Sequence, residues 1–292
     1  MVNYCQLQLT MNPNKLIAFL FFLFLIPSAF AQYWEAGMSG GVSNYRGDID
    51  TRHLGFDQYQ EAYGVFARYN LSPWISAKAF VNKAVLLGSD KWVSNHKFPE
   101  QMRNLNFRTD LIELGISYEF NLTGFDILDN KPVSPYVFAG LLGFYYNPQT
   151  RFQDQWIDLQ PLGTEGQMMY ADEGYHRYNL AIPFGMGFRF GIGKRLGIGL
   201  ELGARKTFSD YLDDVSGAYP DMEALASLNP MAARLSYRAD EYSSLPHPNL
   251  EGKMRGNPST MDWYYVSTLS MSIRLGPLST MEFDHKMKPF YE

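Results

Sequence analysis

The sequence predicts an all-β fold, an eight-stranded antiparallel transmembrane β-barrel with long extracellular loops. Three observations predict it. Large apolar residues alternate with small or polar ones along eight segments. Long and short connections alternate between those segments. The charges within the segments fall on the less apolar face.

The chain has 292 residues and begins with a separable element. Lys15 precedes an apolar run over 16–26, and Pro27-Ser28-Ala29-Phe30-Ala31 follows. A basic start, a short apolar run and a small-x-small site predict a signal peptide over 1–31, cut after Ala31. As a helix the run would span ~16 Å, about half of a ~30 Å hydrocarbon core. An uncleaved anchor is the alternative. Cys5 lies before the run, so the mature chain would hold no thiol. The barrel is expected over 32–292, with 276–292 as a periplasmic tail.

The clearest strand covers 179–192. Leu180, Ile182, Phe184, Met186, Phe188, Phe190 and Ile192 share one face, and small or polar residues fill the other. Gly193-Lys194-Arg195 turns into a second strand over 196–205, making a long hairpin. Six further strands are predicted at Tyr33–Arg46, 61–71, 74–87, 105–122, 134–147 and Trp263–Leu275. The connections at 72–73 and 193–195 are short. Those at 47–60, 88–104, 148–178 and 206–262 are long, and 123–133 is longer than a minimal hairpin. Short periplasmic turns alternating with long extracellular loops would put both mature termini in the periplasm. The stretch 220–262 reads as a large irregular loop with a short helix near 221–228.

Nine charged residues sit on the inward face: Glu35, Arg68, Lys78, Glu113, Glu119, Arg189, Glu201, Arg205 and Arg274. A basic side chain facing lipid at mid-membrane costs ~2–4 kcal/mol. An eight-stranded interior is just wide enough to be filled by side chains. These residues therefore predict a salt-bridged plug, with room left by glycines 185, 187, 197, 199 and 203. Aromatic residues make up 16% of the chain. Tyr33, Trp34, Tyr69, Trp74, Tyr118, Phe120, Tyr136, Tyr145, Tyr146, Trp263, Tyr264 and Tyr265 lie near strand ends, where interfacial girdles are expected. A soluble sandwich core is the alternative for these rings.

Composition narrows function. The formal net charge is -5 and no basic run is present, which argues against a nucleic-acid partner. No cofactor motif is present. Asp210, Asp213 and Asp214 follow the seventh strand, and with Asp48 and Asp50 they are a weak candidate for a divalent-cation site. His53, His96, His176 and His247 fall in the predicted outer loops, without the spacing of a metal site or a triad. Gly163-Thr164-Glu165-Gly166-Gln167 lacks the lysine of a phosphate loop and reads as a turn. Arg46-Gly47-Asp48 and Asn121-Leu122-Thr123 match an adhesion tripeptide and a glycosylation acceptor, and both read as chance.

Seven stretches carry a family resemblance: GVSNYRGD (41–48), RYNLSPW (68–74), RNLNFRTDLIEL (103–114), PYVFAG (135–140), LQPLGTEGQ (159–167), IPFGMGF (182–188) and RKTFSDYLDDVS (205–216). The chain resembles the PorG-like outer-membrane barrels of the type IX secretion system of Bacteroidetes. The last stretch is the most specific, through Arg205, Thr207, Phe208, Asp210, Tyr211, Leu212, Asp213 and Asp214. Ser209 stands where the family form has Thr. The resemblance implies a non-enzymatic barrel, monomeric within a larger assembly, seated in outer-membrane lipids and associated with a periplasmic ring of PorK and PorN. Anchoring is then expected through the 123–133 turn and the tail, with Glu282, Asp284, Lys286 and Lys288. Two other readings stand beside it: a small porin or lipid- or ligand-binding barrel, and a rim hydrolase using Asp210, Asp213 or Asp214.

Overall fold

The computed structural model describes residues 32–50, 58–92, 103–126, 132–170, 174–241 and 249–276. The expected signal peptide, the tail from 277 onward, and His53, His96 and His247 lie outside them. The strands are β1 (Tyr33–Arg46), β2 (Gln60–Asn70), β3 (Ile75–Ser89), β4 (Asn106–Asn121), β5 (Val133–Phe152), β6 (Gln155–Asp158), β7 (Tyr178–Ile192), β8 (Leu196–Thr207) and β9 (Trp263–Leu275). All pairings are antiparallel. The sheet order is β4-β3-β2-β1-β9-β8-β7-β5-β6, and β4 also pairs with β5. That last pairing closes eight strands into a cylinder, which leaves no open edge in the wall. Among the described residues, no helix is long and apolar enough to cross a membrane.

Period-two patterning sorts the side chains. Along β4, Ile112, Leu114, Ile116, Tyr118 and Phe120 are 48–66% exposed, while Leu111, Glu113, Ser117 and Glu119 are buried. Along β7 the apolar series from Leu180 to Ile192 faces out, while Arg189 is buried. Charges are enclosed and leucines are bare, the reverse of a water-soluble core. A continuous apolar belt of this kind is the lipid-facing surface of a transmembrane barrel. Pro183 lacks an N–H, and the β5–β7 ladder is interrupted where Gly140 and Leu141 pass Ile182 and Pro183.

The starts and ends of strands gather as expected. The turns at 71–74 and 193–195 lie at the end where β1 begins and β9 ends, and the long connections lie at the other. Two expectations about the strands are corrected. Tyr33, Tyr136, Tyr146 and Tyr264 are not girdle residues; they are buried inside, because their parity along the strand is that of the lumen face. Trp34, Trp74, Tyr118 and Phe120 do face out. β5 does not end at 147 but runs to Phe152 and returns as β6. Gln153 and Asp154 make that two-residue turn with φ of 48° and 63°, the left-handed pair that matches strand twist.

The long connection after β8 is not merely irregular. It holds the helices Met222–Leu228 and Pro230–Ser236. Asp221 caps the first by accepting from Glu223 N at 2.9 Å, and Asn229 caps the second through Met231 N at 3.1 Å, with Pro230 at its start. Only the first helix is predicted from the sequence.

Candidate functional site

The nine inward charges are all buried, each at most 9% exposed. Six of them form one connected set. Arg68 bridges Glu35 and Glu119 at 2.8 Å each. Arg189 reaches Glu35 at 2.7 Å and lies 3.8 Å from Glu119. Lys78 joins Glu119 at 3.4 Å to Glu201 at 2.5 Å. Three carboxylates thus balance three cations, drawn from β1, β2, β3, β4, β7 and β8. Polar neighbours complete the shell. Asn70 and Ser272 donate to Glu35 at 2.9 and 3.0 Å, and the Tyr136 hydroxyl donates to Glu201 at 2.9 Å. Buried charges persist only when paired and hydrogen-bonded in this way.

The remaining three stand apart. Arg205 pairs with Glu113 at 3.3 Å, and Glu113 also accepts from Tyr264 at 2.7 Å and Asn82 at 2.9 Å. Arg274 lies over the Tyr33 ring at 3.9 Å and faces Asp126, also at 3.9 Å. Asp126 is a partner of Arg274 that the sequence does not signal, because it sits in a turn and not in a strand. The glycines serve differently from expectation. A Cβ at Gly187 would lie 2.6 Å from the Tyr136 hydroxyl and one at Gly185 2.9 Å from Phe138, while Gly197 and Gly199 face Ser272 and Ser270. Only Gly203 leaves room for a charged chain, that of Arg205.

Both ends of the lumen are stopped. At the short-turn end, Phe125 is buried beneath Arg189, whose guanidinium lies 4.1 Å from the ring centre. The turn expected to present a partner surface therefore commits Phe125 and Asp126 inward. At the other end the segment after β8 folds over the mouth. Leu212 and Val215 are fully buried in one cluster with Tyr45, Leu86, Phe107 and Tyr264. Between the stoppers, a lumen cavity lined by Lys78, Glu201 and Arg205 measures about 20 Å³, room for roughly one water.

The candidate rim carboxylates separate in this cap. Asp213 accepts from Tyr45 at 2.6 Å and from Ile49 N at 3.0 Å, and Tyr45 also reaches Asp262 at 3.1 Å. Asp214 takes a left-handed backbone (φ 66°) and accepts from Thr164 at 2.5 Å and Tyr175 at 2.7 Å. Asp50 is bonded to Gln58, and Asp48 accepts from Asn257 N at 2.9 Å. Both oxygens of Asp210 are buried without a hydrogen-bond partner. Among the described residues, no three acidic, His or Cys side chains converge as a metal site would need. His176 contributes only its carbonyl, to Tyr146.

The rest of the RKTFSDYLDDVS stretch is also cap structure. Thr207 donates to the Asp262 carbonyl at 2.7 Å, Tyr211 stacks on Tyr175 at 4.4 Å, and the Leu212 carbonyl accepts from Thr109 at 2.5 Å. Phe208 points outward, 52% exposed. The stretch at 159–167 docks directly on it. Glu165 accepts from Ser216 N and Gly217 N at 2.9 and 3.0 Å and pairs with Arg255 at 3.0 Å. Arg103 ties in the β3–β4 connection through Asp90 at 3.0 Å. Sequence reading does not single out Tyr45, Arg255 or Asp262, and gives Glu165 only as part of a turn, because contacts such as Tyr45 with Asp213 and Glu165 with Arg255 span 168 and 90 residues.

Burial sets the acidity of this cap. It pushes the Asp210 carboxyl up to about 7, with help from the charges of Asp48 and Glu165. It raises Asp214 to about 6 despite Arg255. Asp213 and Asp262 are held well above the usual carboxylate range by burial and by neighbouring carboxylates.

The profile of a family described as "Domain of unknown function (DUF6089)" matches residues 14–233. No curated protein matches the chain. Several solved structures are similar. Neisserial surface protein A aligns at 7% identity and a TM-score of 0.41, over 83% of this chain and 97% of that one. The outer membrane protein OprG from Pseudomonas aeruginosa aligns at 5% and 0.38, over 85% and 99%. The N-terminal β-barrel domain of Pseudomonas aeruginosa OprF aligns at 9% and 0.34, over 84% and 100%.

Proposed function

We propose that this chain, which belongs to the DUF6089 family, is a non-enzymatic outer-membrane barrel that anchors the periplasmic PorK/PorN ring of a type IX secretion system. The observation that carries the reading is the stoppered, ion-paired lumen. A cylinder sealed by Phe125 at one end and by Leu212 and Val215 at the other gives cargo no passage. Its work is then done by its surfaces. The family resemblance supplies the partner, and two of its stretches, 159–167 and 205–216, are the ones that build the cap.

The short-turn end would face the periplasm, following the usual division between short turns and long loops. With Phe125 and Asp126 turned inward, its exposed groups include Lys194 and Arg195. Together with the tail from 277 onward they form the expected contact surface. A small porin is disfavoured by the 20 Å³ cavity, and a rim hydrolase by the separation of the carboxylates, since Asp213 accepts from Tyr45 and Ile49 and Asp214 from Thr164 and Tyr175, while neither oxygen of Asp210 has a hydrogen-bond partner.

Crosslinking and copurification of the full chain from outer membranes tests the role. Recovery of PorK and PorN is expected, and loss of PorK on deleting 277–292 would locate the contact. Recovery of neither from the full chain overturns the anchoring role; undiminished PorK after the deletion removes the tail from it.

A further inference from the structure

Three outward residues meet at the long-loop edge of the wall. Arg46 at the end of β1 and Lys206 on β8 are each directly opposite Trp263 at the start of β9. The three therefore stand side by side across adjacent strands. Lys206 is exposed and Arg46 and Trp263 are half-buried, while the adjoining Tyr45, Tyr264, Arg205 and Thr207 are buried on the lumen side. The Lys206 ammonium lies 5.8 Å from the Trp263 ring centre, and that ring packs edge-on against Phe184 at 6.0 Å. Below them the wall is apolar, through Ile182, Phe184 and Leu202.

Height places this row. Arg46 stands 12 residues along β1 from Trp34, an outward aromatic at the other rim. At ~3.3 Å per residue and a ~40° tilt that is roughly 30 Å of rise, just beyond a ~25 Å apolar band. The row lies at headgroup level. Among the described residues neither cation takes part in an ion pair with a carboxylate, whereas the outward Arg108 on β4 is paired with Asp110 at 3.3 Å. A cleft of about 470 Å³ opens beside the row, and its lining includes Arg46, Trp263, Thr260, Met261, Asn257 and the carboxylate-bearing Asp48.

Two cations that make no ion pair among the described residues flank an amphipathic ring, with an apolar wall below and a cleft above, and match a ligand with an anionic head and acyl tails. We propose that Arg46, Trp263 and Lys206 form a wall site for the phosphate of a membrane lipid, whose acyl chains lie along Trp263 and Phe184. The site rests on the transmembrane reading, and a lipid-borne phosphate is the ligand, not a free one. Each basic residue near an anionic surface contributes ~1 kcal/mol, so loss of both should weaken the preference about tenfold or more.

The test uses the purified full chain in nanodiscs of phosphatidylcholine with about one-tenth phosphatidic acid, followed by native mass spectrometry of retained lipid. Phosphatidic acid should be enriched on the wild type. The double variant Arg46→Gln, Lys206→Gln should lose that enrichment about tenfold while retaining phosphatidylcholine. A control pair with the same charge change away from the row, Arg151→Gln on β5 with Lys253→Gln in the cap, should keep it. Equal enrichment in wild type and double variant overturns the proposal, and so does displacement of phosphatidic acid by millimolar inorganic phosphate. Failure of the wild type to retain any lipid overturns the transmembrane reading instead.

Discussion

Arg189 on β7 donates to Glu35 on β1 across the lumen at 2.7 Å, joining two strands that are not neighbours in the wall. Such a bond fixes the cross-section of the cylinder, which wall hydrogen bonds alone do not. Glu35 accepts from Arg68, Asn70 and Ser272 as well. Replacing it by glutamine leaves two buried guanidinium groups short of a counter-charge. Glu35→Gln should therefore cost about 3–5 kcal/mol of barrel stability. Urea titration in detergent, read by the heat-modifiable gel shift, checks this; a loss under about 1 kcal/mol would mean that the network is not structural.

The outward face should reject charge. Leu114 is 66% exposed near the middle of β4. Leu114→Arg is expected to lower stability in lipid vesicles by about 2–4 kcal/mol. Arg151→Lys, at a position already basic and beyond the belt, offers a neutral comparison. If Leu114→Arg folded with unchanged stability, this face would not be in hydrocarbon.

Gly187 should tolerate no side chain. Its added Cβ would meet the Tyr136 hydroxyl and the Leu200 carbonyl. Gly187→Ala would displace Tyr136 from Glu201 and cost about 1–3 kcal/mol. Adding Tyr136→Phe should recover little, because the Leu200 carbonyl contact remains; full recovery would show that the hydroxyl alone sets the requirement.

The cap should loosen as pH rises. Asp210 and Asp214 are raised to about 7 and about 6, above an unfolded value near ~3.9. Groups raised on folding bind more protons when folded, so their contribution is complete below about pH 4 and is lost as pH climbs through 6 and 7. Protease resistance of the cap, followed at Arg234 and Arg238, is expected to fall between about pH 5 and 8. Asp210→Asn should flatten the upper part of that fall. A resistance that rose with pH would contradict the assignment.

Strand parity was legible in the sequence because lipid selects large apolar residues on one face and a narrow lumen admits charge only on the other. That is why Glu35, Arg68, Lys78, Glu119, Arg189 and Glu201 could be grouped before their contacts were known. The buried tyrosines were less legible. Tyr136 and Tyr264 read as girdle by position along the chain, yet parity puts them inside, where their hydroxyls serve Glu201 and Glu113. Of the cap, the helix at Met222–Leu228 was legible and the long-range contacts were not. Asp213 meets Tyr45 across 168 residues, and Glu165 meets Arg255 across 90. No local period encodes such pairs. The acidic triplet reads as a ligand set along the chain, but in the cap Asp213 and Asp214 take separate donors and Asp210 takes none.

The most direct test of the central claim is ionic conductance. Purified full chain, reconstituted in planar bilayers, should pass no steady current, because ion pairs fill the lumen and Phe125 and Leu212 close its ends. Stable, ohmic current steps from folded barrel would contradict the account.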